Sequence, residues 1–184
     1  MPATYELNLA EQVLQAGGIV AMPTESVYGL HCLPHHLNAI KKILQLKQRS
    51  EDKGLILIAS CWAQLDEYIA PLPDRVKEKV ESACAVPTTW IIPARQQVSP
   101  LITGEFNTVA VRITTHLFIS CLCDLLNSPL ISTSANISGQ AVARSAAEIK
   151  AIFPEGIDLI IEGEVPPANQ PSQILDAMTG ERWR

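Results

Sequence analysis

The 184 residues read as one α/β domain, a twisted mixed β-sheet flanked by helices. Three observations carry that reading. Short apolar runs bounded by Gly, Pro or Ser recur along the chain, as in Ile19–Met22, Leu55–Ala59 and Leu130–Thr133. Between them lie segments whose apolar residues fall at helical spacing. The alternation keeps no strict strand–helix–strand rhythm, so the sheet is expected to be mixed rather than wholly parallel. No internal repeat, low-complexity tract or linker is visible, and a single domain over 1–184 is expected.

Each element has its own local signal. Asn8 with Glu11 resembles a capping box, Leu9, Val13 and Leu14 give one helical face, and Gly17-Gly18 ends that helix. The strand Ile19–Met22 is stopped by Pro23. Leu37–Gln48 is amphipathic through Leu37, Ile40, Ile43 and Leu44. Leu55–Ala59 is apolar throughout, as in a strand buried on both faces. Weaker helical patterns follow at Trp62–Tyr68 and Asp74–Cys84. Thr89–Ile92 and Val109–Ile113 read as strands, Leu117–Leu126 as a helix and Leu130–Thr133 as a strand. Ser145 and Glu148 form a second capping box ahead of Ile149 and Ile152. Asp158–Ile161 reads as a strand, and Ser172–Asp176 and Glu181–Arg184 as two strands about Thr179-Gly180.

Composition narrows the function class. Apolar residues make up 47% and charged residues 18%, which excludes a disordered chain. No run of 18 apolar residues is present to span a membrane. The first residues lack a basic segment followed by an apolar one, so no secretory signal is expected. Five scattered cysteines without a C-x-x-C pair suggest reduced thiols in a cytoplasmic protein. A net charge of −5 excludes a dominant basic surface but leaves room for a local basic pocket. His31 and His35 stand four apart, yet Pro34 between them disfavours a helical metal pair, and no metal ligand is assigned.

Three polar segments stand out from plain packing. Pro23-Thr24-Glu25-Ser26-Val27-Tyr28-Gly29-Leu30 follows a buried strand, where α/β sheets bind ligands; alternatively Thr24 caps a short helix. Lys47-Gln48-Arg49-Ser50-Glu51-Asp52-Lys53-Gly54 places three cations between a helix end and a strand. They could cradle phosphate, with Arg49 as a fork and Lys47 and Lys53 as point charges, or simply solvate a loop. Ser132-Thr133-Ser134-Ala135-Asn136-Ile137-Ser138-Gly139 ends a buried strand in hydroxyls and an amide. These suit phosphate, magnesium-bound water or a small polar ligand, or else a capped loop. Neither a nucleophile elbow nor a Walker A loop is present.

Taken together, these segments resemble the YrdC family of threonylcarbamoyl-AMP synthases, and most closely its short bacterial TsaC branch. The matching stretches run in order from Gly17-Gly18-Ile19-Val20-Ala21-Met22-Pro23-Thr24-Glu25-Ser26-Val27-Tyr28-Gly29-Leu30 through Leu46–Ile58, Val109–His116 and Ser132–Gly139 to Pro171–Asp176. The resemblance implies a YrdC-like sheet around a deep basic concavity. It implies that L-threonine, bicarbonate and ATP, with Mg2+, give threonylcarbamoyl-AMP and diphosphate. The product would feed the threonylcarbamoyl modification of adenosine 37 in ANN-decoding tRNAs, through a separate downstream transferase complex.

Carried over by motif, Lys47 and Arg49 are the expected catalytic cations. Lys47, Arg49, Lys53, Ser134, Asn136 and Ser172 are expected at ATP and its phosphates. Thr24, Tyr28 and Arg112 are expected at the threonine and adenylate pocket. Substituting Lys47 or Arg49 is expected to depress activity while leaving the fold intact. Three departures stand against the family pattern. His31 and Leu33 replace a usual Gly and Asp. Cys84-Ala85-Val86-Pro87 replaces Trp-Pro-Gly-Pro, which leaves Thr88 and Thr89 without an assigned role. A basic residue is missing around Asn169-Gln170. The alternative is a double-stranded RNA-binding module using the concavity, against which the net charge weighs.

Overall fold

The computed structural model describes residues 4–82, 88–165 and 173–183. The expectations for Cys84–Pro87, Asn169-Gln170 and Ser172 lie outside those residues.

One sheet of eight strands organises the chain. The strands are β1 (Val20–Pro23), β2 (Tyr28–Cys32), β3 (Ile56–Ala59), β4 (Thr88–Pro93), β5 (Thr108–Ile113), β6 (Leu130–Ser134), β7 (Leu159–Ile160) and β8 (Gln173–Asp176). Their order is β7-β1-β2-β6-β3-β5-β4-β8. The sheet is mixed, as expected: β1–β7, β3–β5 and β4–β8 are parallel, and the other neighbours antiparallel. The helices are α1 (Thr4–Gln15), α2 (Leu37–Leu46), α3 (Asp74–Ser82), α4 (Pro100–Thr103), α5 (Leu117–Leu126) and α6 (Ala146–Ile152).

The largest difference from the sequence reading is β2. Its residues are buried throughout, and the segment of Thr24 makes a turn between two antiparallel strands rather than capping a helix. Pro23 occupies the last position of β1 and Gly29 interrupts the apolar run, which hides the hairpin pattern. Helix α1 begins at Thr4, so Asn8 lies inside it and caps nothing. The Ser145 box is real. Ser145 Oγ accepts from the Glu148 amide at 3.2 Å, and Glu148 Oε2 accepts from the Arg144 amide at 2.8 Å. Around Trp62 the helix shrinks to a 3-10 turn at Trp62–Leu65, and α4 had no sequence signal beyond Ser99-Pro100.

Two cores hold the sheet. On one face Leu30, Leu57, Trp90, Val109, Val111 and Ile131 pack with Ile40, Ile43 and Leu44 of α2. On the other, Val20, Met22, Ile58 and Leu130 pack with Ala10 and Leu14 of α1 and Ile119 and Leu122 of α5. Helices α1 and α5 cover only part of this second face. The remainder is the site described next.

Candidate active site

Side chains alternate along strands, and that alternation builds the cavity floor. Ser132 and Ser134 of β6, Ile56 and Ile58 of β3, Ala110 and Arg112 of β5, and Thr89 and Ile91 of β4 line one cavity of about 840 Å3. The register carries the row across four strands: Ser132 pairs with Ile56, Ile56 with Ala110, and Ala110 with Ile91. Their neighbours Ile131, Leu57, Val111 and Trp90 point into the first core. The volume suits a ligand of nucleotide size. Phe106 and Trp183, 47% and 53% exposed, add two aromatic rings to the lining.

The electrostatics favour an anion. Arg49, Lys53, Arg112 and Arg144 all line the cavity, and no carboxylate is among its described lining residues. A chain with a net charge of −5 therefore gathers four cations here. Arg49 is placed by the end of α2. Gln48 takes a left-handed φ of 49°. The Gln48 amide donates to Gln45 O at 3.0 Å and the Arg49 amide to Leu44 O at 2.9 Å, a Schellman closure. The Arg49 Nη2 then donates to Gly54 O at 2.9 Å, tying the fork to the turn that carries Lys53. Its buried Nε has no partner among the described residues.

The same closure sends Lys47 the other way, behind the cavity lining rather than into it. Lys47 is 1% exposed and is not among the cavity-lining residues. Its Nζ donates to Ser134 O, to Asn136 O at 3.0 Å and to Asn136 Oδ1 at 3.2 Å. Its own carbonyl accepts from the Ser138 amide at 2.8 Å. Lys47 thus clamps the loop after β6. Asn136 is likewise turned inward: Nδ2 donates to Ile137 O and Gln140 O, each at 2.9 Å. Ser134 does line the cavity, but its hydroxyl donates to Asn136 Oδ1 at 2.7 Å. Toward a ligand, its oxygen is an acceptor.

Burial, reinforced by the Arg49 charge, pushes the Lys47 ammonium down to about 8. That value lies below the ordinary lysine range, so between about 8 and the unfolded value the unfolded chain binds more protons. Over that interval this group's contribution to stability rises with pH, while the ammonium that grips three oxygens is lost. Affinity for ATP alone should therefore fall as pH rises through about 8, without a matching fall in melting temperature. Calorimetric titrations between about pH 7 and 9.5 check this, and a flat profile would contradict the clamp.

Thr24 lines the cavity at the β1–β2 turn. Its hydroxyl donates to Val27 O at 2.8 Å. Glu25 ties the turn to the end of β5 by accepting from the Thr114 hydroxyl and the Thr115 amide. Burial pushes the Glu25 carboxyl up. The Thr114 bond, a backbone bond and the Arg112 and His116 charges outweigh it, and the net shift is downward. Tyr28 does not line the cavity. It is fully buried, and its hydroxyl donates to Gly163 O at 3.0 Å and accepts from the Gly163 amide at 3.1 Å. Arg112 reaches the cavity floor, with Nε and Nη2 donating to Thr89 Oγ1 at 3.0 and 2.7 Å.

His31, one of the departures, does not narrow the cavity. Its ring is buried in the space left by Gly29, where a Cβ would lie 2.6 Å from His31 Cε1. Burial holds the imidazole down to about 4, so it is neutral at neutral pH. Of the expected residues, Thr24, Arg49, Lys53, Arg112 and Ser134 come together around one cavity, and Lys47, Tyr28 and Asn136 lie behind its lining. Thr89, left without a role above, also lines it, as do Phe106, Arg144 and Trp183, which no motif marks.

The Sua5/YciO/YrdC family model, which bears the description "Telomere recombination", matches residues 12–184. The threonylcarbamoyl-AMP synthase of Nitrosococcus oceani is 41% identical over 180 residues, covering 98% of this chain and 97% of that one. That of Coxiella burnetii (strain RSA 493) is 39% identical over 181 residues, with 98% and 97% covered. Among solved structures, Pyrococcus abyssi Sua5 complexed with L-threonine superposes with a TM-score of 0.84 at 32% identity. It covers 94% of this chain, which spans about half (51%) of that Sua5 chain. Escherichia coli YciO shares the fold, with a TM-score of 0.79 at 24% identity over 96% of this chain and 85% of that one. The match over residues 12–184 and the full-length similarity to these synthases place the chain in the Sua5/YciO/YrdC family.

Proposed function

We propose that this protein makes threonylcarbamoyl-AMP and diphosphate from L-threonine, bicarbonate and ATP. The observation that carries the reading is the convergence of Arg49, Lys53, Arg112 and Arg144 on one nucleotide-sized cavity. It stands on a chain 41% identical to a threonylcarbamoyl-AMP synthase. The amine of threonine combines with bicarbonate to give an N-carboxylate and water. An oxygen of that carboxylate forms a bond to the α-phosphorus of ATP, and the bond to the diphosphate oxygen breaks. No protein nucleophile is needed, so positioning and charge stabilisation carry the catalysis.

In this reading Arg49 and Lys53 hold the phosphates, and Arg112 and Thr24 face the threonine and adenylate. Arg144 adds positive charge at the phosphate end. Ser134 accepts from a ligand hydroxyl or a metal-bound water. Lys47 and Asn136 act one layer back by fixing the Ser134 loop. Among the described residues no group of three or more His, Cys, Asp or Glu side chains is arranged to hold a metal. Magnesium would arrive with the substrate, as MgATP, and offset phosphate charge. A downstream transferase complex would consume the product in tRNA modification, and free thiols at Cys32, Cys61, Cys121 and Cys123 suit the cytoplasm. The double-stranded RNA-binding alternative draws no support from the relatives. Among the described residues no helix is long and apolar enough to cross a membrane.

Diphosphate release from the pure protein should depend on threonine and bicarbonate together. Serine loses a methyl contact worth roughly 1–3 kcal/mol, and valine loses the hydroxyl. Threonine should therefore lead both in kcat/KM by roughly tenfold or more. Equal release with all three amino acids would contradict the substrate assignment.

A further inference from the structure

We propose that Thr89 is a positioning residue that sets the guanidinium of Arg112 for an anionic group of the amino-acid substrate. This rests on the reading of the cavity given above. Arg112 Nε and Nη2 both donate to the single oxygen Thr89 Oγ1, at 3.0 and 2.7 Å. A guanidinium has no acceptor, so the hydroxyl oxygen must receive both bonds. Two donors from one edge of a planar fork fix the plane of that fork, and the opposite edge then faces away from Thr89.

Thr89 is well suited to hold such a plane. It is fully buried on β4, and both it and Arg112 line the cavity. Strand β4 is paired on both sides, with β5 and with β8. A β-branched side chain on a doubly paired strand has little χ1 freedom. Its hydroxyl is also neutral. A carboxylate in the same place would fix the fork but cancel its charge, whereas the hydroxyl fixes it without neutralising it. Glu25, bonded to Thr114 and Thr115, couples to Arg112 through its charge. Burial and geometry alone would be met equally well by valine, which has the same shape and higher strand propensity. Among the described residues the contact that uses the hydroxyl is the one to Arg112.

Steady-state diphosphate release over a threonine series tests this in wild type, Thr89→Val, Thr89→Ser and Thr89→Ala, with melting temperatures alongside. Thr89→Val and Thr89→Ala should raise the KM for threonine roughly ten- to hundredfold. Their kcat should stay within about threefold, because the phosphate contacts are untouched. Thr89→Ser keeps the acceptor and should restore KM to within about threefold of wild type. Should Thr89→Val fold poorly, the Ser and Ala variants still isolate the hydroxyl, since they differ only in that group. Equal KM in Thr89→Ser and Thr89→Ala, or an unchanged KM in folded Thr89→Val, overturns the proposal and leaves the cavity reading intact. Wild-type protein that releases no diphosphate in response to threonine overturns both.

Discussion

Lys47→Ala should destabilise the protein by about 3–5 kcal/mol, the range for removing one partner of a buried charged contact. The deletion leaves Ser134 O, Asn136 O and Asn136 Oδ1 without their shared donor. It also empties the space of a side chain that is 1% exposed. At 2–4 °C per kcal/mol for a chain of this size, the melting temperature should fall by roughly 6–20 °C. This reverses the expectation that the substitution spares the fold. Affinity for ATP should drop as well, because the Ser134 loop loses its anchor. Thermal melts and urea unfolding read the first effect, and calorimetry on the folded fraction reads the second. A variant with wild-type stability but no ATP affinity would restore Lys47 as a direct phosphate ligand.

Arg49→Ala should show the opposite balance. Arg49 lines the cavity, and its bonds to Gly54 O and Lys53 O lie on a solvent-facing turn. Stability should fall by no more than about 1–3 kcal/mol, the range for hydrogen bonds from a charged group, here shared with solvent. Loss of one preorganised cation beside the leaving diphosphate should lower kcat/KM by roughly 10²–10³. Parallel measurement of turnover and melting temperature in both variants separates the cation at the ligand from the cation behind the loop. Activity within threefold of wild type in folded Arg49→Ala would remove Arg49 from the phosphate site.

The contrast between these lysine and arginine residues shows what could be read from the chain. The cationic segment 47–53 announced a basic site by composition, but its composition is the same whichever way each side chain points. Direction was set by the left-handed turn at Gln48, a residue with no propensity signal for φ of 49°. In the same way the Ser132–Gly139 segment announced polar chemistry. Which of its groups faces the cavity depends on bonds to Lys47, 87 and 89 residues away in sequence. Strands with continuous apolar runs, such as Leu55–Ala59, were legible because burial on both faces leaves that mark. Strand β2 was not, because Gly29 and His31 share the space one larger side chain would fill. Thr89 stood without a role and Arg144 without a motif because sheet register and a helix cap, rather than local composition, bring them to the cavity.

The central claim is that one cavity joins carbon from bicarbonate to threonine and the result to AMP. Incubating the pure protein with threonine, MgATP and isotopically labelled bicarbonate, then analysing the nucleotide product by mass spectrometry, tests it most directly. The product should be an AMP conjugate carrying both threonine and one labelled carbon, formed only when all three substrates are present. An AMP conjugate of threonine without the labelled carbon, or ATP cleavage indifferent to bicarbonate, would contradict it.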